Sequence, residues 1–335
     1  MKRSFLDIIN IFLSIILGLL ITSFILLKYK NKEFEKIFWN AEIVSIAEKK
    51  TTNNTVIIKI IDASFYNNFE EYSTKLDYES IKNSIGFINT NEERNIEFQS
   101  SGEKLFPDSL NLKYFSVEER KFYQLSTKID YEKWKNLIKK STEIPLISIQ
   151  ILPKGQTKLN LNYKNKKTET IEKFLANEFD GNINMLVYRE SLGQKFIYLD
   201  DINNVIDFSD LLQNKYNWIL KTEIEDNERL EDVSAKSFAQ ETINLSQKNN
   251  NTLQLIPRDF HIKWGIKQKY GIKYYFNPLE ILNAFRILSK TNNNEPIVLT
   301  FILTKEKYPV CKINKKDKTI LLKNIYPELP IKYAN

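Results

Sequence analysis

The sequence predicts an α+β protein in which one transmembrane helix precedes two tandem related units of antiparallel strands, each with a packed helix. The prediction depends on a long apolar run near the amino terminus, an excess of strand-like segments, and a repeat at an offset of about 150 residues. We expect a short tail at 1–4, an anchor at 5–27, a first α+β repeat at 36–175, an acidic connector at 176–214 and a second α+β repeat at 215–335.

The apolar run reads FLDIINIFLSIILGLLITSFILL, from Phe5 to Leu27. As a helix it would be about 34 Å long, enough to cross a hydrocarbon core of about 30 Å. A cleavable signal peptide is the alternative, because Lys2 and Arg3 form a charged start. Its apolar part should be only about 7–15 residues long and end in small residues, whereas this run ends in Ile25, Leu26 and Leu27. We therefore expect an uncleaved single-pass anchor.

Charge and layout disagree about the orientation of this anchor. Four lysines follow the run, at Lys28, Lys30, Lys32 and Lys36. They outnumber Lys2 and Arg3 before it, so the positive-inside rule would leave the large domain in the cytoplasm. A short tail, one helix and a large polar domain is also the layout of an exported, signal-anchored protein. Cys311 is the only cysteine, so no internal disulfide decides between the two.

The composition of the chain is that of a folded protein with an uneven charge. Hydrophobic residues make up 42% and aromatic residues 13%, which excludes a disordered chain. The net charge of +7 is unevenly distributed, because residues 176–250 hold 14 acids and 7 bases, and residues 251–335 hold 6 acids and 15 bases. We expect a solvated, lysine-rich surface and no nucleic-acid partner, since no cluster of arginine and aromatic residues occurs.

The repeat begins with LFPDSLNLKYFS at Leu105 and LIPRDFHIKWGI at Leu255, which align Pro107 with Pro257 and Tyr114 with Trp264. Further landmarks follow in the same order in both copies: a capped helical pattern after Asp130 or Asn277, the strand-like LISIQIL or IVLTFIL, and the alternating TKLNLNY or PVCKINK. A tryptophan opens each copy, Trp39 or Trp218. Several matches at a nearly constant offset predict a tandem duplication. Between the copies we expect a helix at IEKFLANEF and a strand at KFIYL.

The first copy, over Trp39 to Lys173, resembles the bacterial family called domain of unknown function 2931. The matching positions are Tyr114, Ser116, Glu118, Glu119, Phe122, Tyr123 and the turn from Pro153 to Gly155. The resemblance implies an envelope protein, because most members look like lipoproteins, and it implies an immunity role for those encoded beside secreted toxins. This chain has the apolar run where those proteins have a lipidated cysteine. We expect a bacterial inner-membrane protein with its globular part in the periplasm.

The residue types needed for common catalytic sites are sparse. His261 is the only histidine, so no two-histidine metal site can form, and it alternates with Phe260 and Ile262 on a strand. Cys311 alternates in phase with Ile313, which indicates a buried thiol. No phosphate-binding loop occurs. Glu118 and Glu119 are adjacent, so in a strand they would point to opposite faces and could not easily cooperate as general acid and base. We expect a polar hairpin tip there. We expect no metal and no cofactor.

These observations lead to the hypothesis of a non-enzymatic binding protein that neutralises a secreted toxin. Its partner would contact the charged tip of one hairpin and the matching tip in the second copy, formed by Glu118, Glu119, Arg120, Lys267, Lys269 and Tyr270. Two alternatives remain open. One is an envelope hydrolase that uses carboxylates, and the other is a structural subunit of an envelope complex whose helix makes contacts through Gly18.

Overall fold

The computed structural model of the 335-residue chain shows a mixed α+β protein, mostly strands, with one long apolar helix at its amino terminus. The residues that it describes are 5–33, 35–45, 56–70, 72–84, 86–89, 95–99, 102–138, 143–163, 168–189, 194–195, 199, 201–224, 228–245, 252–266, 269–291, 294–303, 310–327 and 331–333.

The elements up to residue 213 are α1 (Phe5–Glu33), β1 (Asn40–Ser45), β2 (Ile57–Tyr66), β3 (Thr74–Lys75), α2 (Tyr78–Ser84), β4 (Phe87–Asn89), β5 (Ile96–Glu97), β6 (Ser109–Ser116), β7 (Lys121–Lys128), α3 (Tyr131–Ile138), β8 (Leu146–Ile151), β9 (Gln156–Asn162), β10 (Glu169–Leu175), β11 (Asn177–Phe179), α4 (Asn184–Val187), β12 (Tyr188–Arg189), β13 (Gln194–Lys195) and α5 (Val205–Gln213). Those that follow are β14 (Lys215–Ile224), β15 (Leu230–Ser237), β16 (Thr242–Ile243), β17 (Leu253–Leu255), β18 (Pro257–Trp264), β19 (Lys269–Phe276), α6 (Pro278–Ser289), β20 (Ile297–Leu303), β21 (Val310–Lys315), β22 (Lys318–Leu322), β23 (Ile325–Pro327) and β24 (Ile331–Tyr333).

Helix α1 is long and apolar enough to cross a membrane over Asp7–Leu27, and no part of that stretch is covered by the rest of the protein. A signal sequence near an amino terminus has the same length and composition. The helix continues to Glu33, six residues beyond the apolar stretch. The predicted membrane-spanning run is thus a helix, as expected from its composition.

The first sheet pair consists of the sheets β10-β9-β8-β1-β5 and β11-β7-β6-β2-β3, with β4 added to β2. Strand β1 runs parallel to β8, whereas the other pairs are antiparallel. Apolar side chains of the two sheets meet in one core, which includes Ile43 and Leu159 from one sheet and Ile60 and Leu112 from the other. Helix α3 adds the fully buried Trp134 to this core.

The second sheet pair consists of the sheets β17-β14-β20-β21-β22 and β16-β15-β18-β19-β23, with β24 added to β19. Here β14 runs parallel to β20. Its core contains Phe260 and Tyr274 from one sheet and Phe301 from the other, together with Phe285 of α6. Asn277 caps α6 by accepting a hydrogen bond from the Glu280 N–H at 2.9 Å, and Pro278 occupies the first turn, where its missing N–H costs nothing.

The second core extends onto the outer face of β2 and β6. In β2, Ile58 belongs to the first core while its neighbour Ile57 belongs to the second, because successive side chains of a strand point to opposite faces. In β6, Tyr114 belongs to the first core and its neighbour Phe115 to the second. A strand covered on both faces requires a nearly continuous apolar run, which explains the sequence IIKII at the start of β2.

Most of the predicted elements are confirmed, including both capped helices and the strands LISIQI and IVLTFIL. The predicted helix at IEKFLANEF is wrong, because this segment forms β10 and β11. Residues Glu169–Leu175 pair with β9, and Ile171 is buried in the first core. In so short a segment, apolar residues three apart are compatible with an edge strand as well as with a helix. Pairing with the neighbouring strands makes this segment a strand. Of KFIYL, residues 196–198 lie outside the described part.

Candidate functional site

The turn between β6 and β7 carries three of the residues predicted to contact a partner. Glu118 is exposed, and Glu119 accepts a hydrogen bond from the Lys154 N–H at 2.8 Å, in the turn between β8 and β9. Burial, and then the charge of Glu119 and a hydrogen bond to it, raises the pKa of Tyr123 to about 12. Arg120 has a φ of 54° and forms an ion pair with Asp210 of α5 at 2.6 Å. Glu119 therefore links the β6–β7 turn to the β8–β9 turn, and Arg120 links the β6–β7 turn to α5.

Two of the other predicted residues, Lys269 and Tyr270, are the first residues of β19, in a different sheet. Lys269 forms an ion pair with Glu231 at 3.1 Å. The Tyr270 ring stacks on Trp264, with a centroid distance of 5.6 Å. Lys267 lies outside the described residues. The two predicted tips thus belong to separate hairpins, and Glu118 is the member of the set that points an exposed carboxylate to solvent.

Helix α5 joins the two sheet pairs through charged side chains. Arg286 of α6 donates to Asp207 at 2.7 Å and to Asp210 at 2.6 Å, and Asp210 also accepts from Arg120. Burial disfavours the charged form of Asp207, but the hydrogen bonds from Arg286 and Asn204 outweigh it and lower the pKa of Asp207. These four side chains, Arg120, Asp207, Asp210 and Arg286, are called the junction network below. It connects the first hairpin tip to the second sheet pair.

Apolar contacts reinforce the same junction. Phe208 of α5 is fully buried, and its ring lies 6.2 Å from that of Phe87 and 5.9 Å from that of Phe115. Leu211 and Leu212 are buried in the same core. The sequence prediction treated this segment as an acidic connector, and the spacing of Asp207 and Asp210 on one helical face is the signal that could have revealed a charged contact.

A cleft of about 610 Å³ lies between the two sheet pairs. Its lining consists of Asp77, Glu79, Ser80, Ser84, Asn95, Glu97 and Lys236. Lys236 is on β15 of the second sheet pair, and the other lining residues lie in or beside α2 and β5 of the first. Burial raises the pKa of the neighbouring Glu42, although a hydrogen bond from Asn95 opposes the shift. With three carboxylates and one amine in its lining, the cleft favours a cationic group.

A second cleft, also of about 610 Å³, lies at the start of β14 and is lined by Lys215, Tyr216, Asn217, Leu253, Ser289, Asn294, Glu295, Ile297 and Lys315. Lys315 donates to the Thr291 carbonyl oxygen at 3.1 Å. The lining combines two amines with one carboxylate. This cleft therefore has the opposite charge balance to the one between the sheet pairs.

His261 and Cys311 lie where the alternation of the sequence predicts. Phe260 and Ile262 are buried in the second core, and His261, between them, is partly exposed on the other face of β18. Cys311 is buried, and burial raises the pKa of its thiol well above the ordinary value, so the thiolate needed for nucleophilic attack is disfavoured. Within the described ranges, no three His, Cys, Asp or Glu side chains are grouped to hold a metal ion.

Comparisons of the chain with protein-family models, with curated proteins and with solved structures gave no match.

Proposed function

We propose that this chain is a membrane-anchored binding protein of the bacterial envelope that neutralises a secreted toxin as its immunity protein. The observation that carries the proposal is α1, whose apolar stretch is uncovered over Asp7–Leu27 and leads directly into a folded domain. An anchored domain with charged clefts is suited to capture a protein partner near the membrane. The toxin as partner, and the periplasm as compartment, follow from the resemblance of the first copy to domain of unknown function 2931.

We also propose that the globular part consists of two related units. Both sheet pairs use the same order of connections, with β1 and β14 parallel to β8 and β20 and with α3 and α6 leading into those strands. The Trp39 indole donates to the Leu105 carbonyl oxygen at 3.1 Å, and the Trp218 indole donates to that of Leu255 at 3.0 Å. Leu105 and Leu255 begin the two aligned segments of the repeat. These shared features support a duplication.

The first test is capture of the partner. The full chain, with a carboxyl-terminal tag and at native expression level, is purified in mild detergent, and proteins that co-purify are identified by mass spectrometry. We expect one stoichiometric partner that is toxic when expressed alone and harmless when this chain is present. Recovery of several envelope proteins would instead favour a structural subunit, and recovery of no partner would contradict the immunity role.

The second test concerns the face that binds. Glu118 is exposed at the β6–β7 turn and Glu132 is exposed on α3, at the other end of the first sheet pair. We expect Glu118→Lys to weaken capture of the partner and Glu132→Lys, the matched charge reversal, to leave it unchanged. Equal capture by both variants would remove the hairpin tip from the binding surface.

A further inference from the structure

One end of the first sheet pair lies next to α1. Tyr66 at the end of β2, Ser109 at the start of β6 and Lys128 at the end of β7 are in register, and β1 begins at the same end of the other sheet, in register with the start of β8. Helix α3 connects the two sheets there, between β7 and β8. We call this the anchor end. The opposite end carries the β6–β7 turn with Glu118.

The chain attaches to the anchor end as soon as it leaves α1. The helix ends at Glu33, and the carboxylate of Glu35 accepts hydrogen bonds from the Tyr131 hydroxyl at 2.9 Å and from Lys135 at 2.6 Å, both on α3. Ile37 then exchanges two backbone hydrogen bonds with Lys104, at 2.9 and 3.0 Å. These contacts leave no long tether between the helix and the globular part.

The length of α1 brings this attachment to the membrane surface. Beyond the apolar stretch that ends at Leu27, the helix continues for six residues, which is about 9 Å. A headgroup layer is roughly 5–8 Å thick on each side of the hydrocarbon core. The helix therefore ends near the outer edge of the headgroups, and the contacts of Glu35 follow two residues later. With α1 spanning the bilayer, this length places the anchor end against the lipid headgroups.

Exposed aromatic side chains occur at this same end. Phe38 is 53% exposed, and Phe69 and Tyr72, in the loop between β2 and β3, are 44% and 82% exposed. The loop is held in place, because the side chain of Asn67 donates to the Phe106 carbonyl oxygen at 2.6 Å. Ile144, 59% exposed, lies beside the first residue of β1, whose N–H donates to the Pro145 carbonyl oxygen. Tyrosine favours the interface between membrane and water, and phenylalanine supplies apolar surface that can enter it.

We propose that the anchor end is a membrane-interface surface, in which Phe38, Phe69 and Tyr72 enter the headgroup layer of the bilayer that holds α1. The inference rests on the anchor of the proposed function and is independent of which partner is bound. Strand β6 has eight residues, so the Glu118 turn lies about 26 Å along the strands from the anchor end. The globular part is then seated on the membrane and presents that turn away from it.

The test measures the distance of two positions from the lipid headgroups. The full chain carrying Cys311→Ala is reconstituted into vesicles of phosphatidylcholine and phosphatidylglycerol that contain headgroup spin-labelled lipid. A single environment-sensitive fluorophore is attached at Tyr72→Cys, at Ile144→Cys or, as the matched control, at Glu118→Cys. We expect the spin label to quench positions 72 and 144 at least about threefold more than position 118, because a strand length separates the two ends.

The outcomes separate this inference from the proposed function. Weak quenching at both 72 and 144, in chains that resist alkaline extraction from the vesicles, would overturn the membrane-interface surface and leave the anchor intact. Quenching as strong at 118 as at 72 would also overturn it, because the sheet pair would then lie along the membrane. Release of the chain by alkaline extraction would overturn the anchor itself and this inference with it. Partner capture does not enter the measurement.

Discussion

The loop after β2 and the turn after β15 occupy the same place in the strand orders of the two sheet pairs. They differ in whether their aromatic side chains are exposed or buried. Phe69 and Tyr72 are exposed in the first, whereas Phe238 is buried in the second. The second turn is short and closed, since the Gln240 N–H donates to Ser237 and the Glu241 N–H to the Ser237 hydroxyl. Exposure of aromatic residues is thus not required by the strand order. Of these two loops, the one with exposed rings belongs to the sheet pair that follows α1.

The two sheet pairs share, by contrast, one stacked ring pair between adjacent strands. A ring on β6 stacks on a ring on β7, Tyr114 on Tyr123, with a centroid distance of 5.3 Å. Trp264 and Tyr270, on β18 and β19, stack at 5.6 Å. Both ring pairs are directly opposite each other in the sheet, where side-chain packing contributes most to the stability of a strand pair. This ring pair is common to both sheet pairs, whereas, among the described residues, exposed aromatic residues in the corresponding loop occur in the first alone.

The largest expected effect concerns the helix that joins the two pairs. Phe208→Ala removes a fully buried ring that packs on Phe87 and Phe115, and the cavity should lower the free energy of unfolding by about 3–5 kcal/mol. Urea denaturation followed by circular dichroism measures the loss. Ile206→Ala, an exposed position of the same helix, is the matched control and should change stability by less than about 0.5 kcal/mol. Equal losses for both would mean that α5 does not hold the pairs together.

A second prediction compares the two buried tryptophans. Trp39→Phe and Trp218→Phe each remove an indole N–H and leave a carbonyl oxygen, of Leu105 or of Leu255, without that donor in the core. We expect each to lower the free energy of unfolding by about 1–3 kcal/mol, since a buried polar atom without its partner is costly. Because the two contacts have the same geometry, the losses should agree within about 1 kcal/mol. A larger difference between the two losses would show that Trp39 and Trp218 do not contribute equally to the stability of their sheet pairs.

A third prediction concerns the pH dependence of the junction network. The pKa of Asp207 is lowered in the folded state, so its contact with Arg286 stabilises the protein fully above the unfolded pKa of about 4 and loses this contribution as the pH falls below it. Arg286→Met should lower the free energy of unfolding at pH 7 by about 1–3 kcal/mol. It should also flatten the acid side of the stability profile, measured by urea denaturation at several pH values.

Arg120→Met is the control for this profile. The Arg120 side chain is more exposed than that of Arg286, and its removal leaves the contact between Arg286 and Asp207 in place. We expect a loss of at most about 1 kcal/mol and an unchanged acid slope. An acid slope that persists in Arg286→Met would assign the pH dependence to other carboxylates.

The sequence predicts the individual elements well because their signals are local. The caps Asp130 and Asn277 and the alternation around Phe260 depend on residues within a few positions of each other. The junction could not be predicted in this way. Asp210 meets Arg120 and Arg286 across 90 and 76 residues of chain, and no local pattern records such a pairing. The contact of the Arg120 guanidinium with Asp210 of α5 was not predicted for the same reason, and the place of Arg120 on a partner surface stays a prediction.

The smallest expected change in stability distinguishes the two loops with which the comparison began. Tyr72→Ser removes a ring that is largely exposed, so the free energy of unfolding in detergent should change by less than about 0.5 kcal/mol. Phe238→Ser, at the corresponding turn, empties a buried site and introduces a hydroxyl, so it should cost about 3–5 kcal/mol. Urea denaturation of both variants, with Phe69→Ser as a second exposed position, measures the contrast. If Tyr72→Ser destabilised the protein as much as Phe238→Ser, the Tyr72 ring would contribute to the stability of the fold. Its presence at the anchor end would then be explained without contact with a membrane.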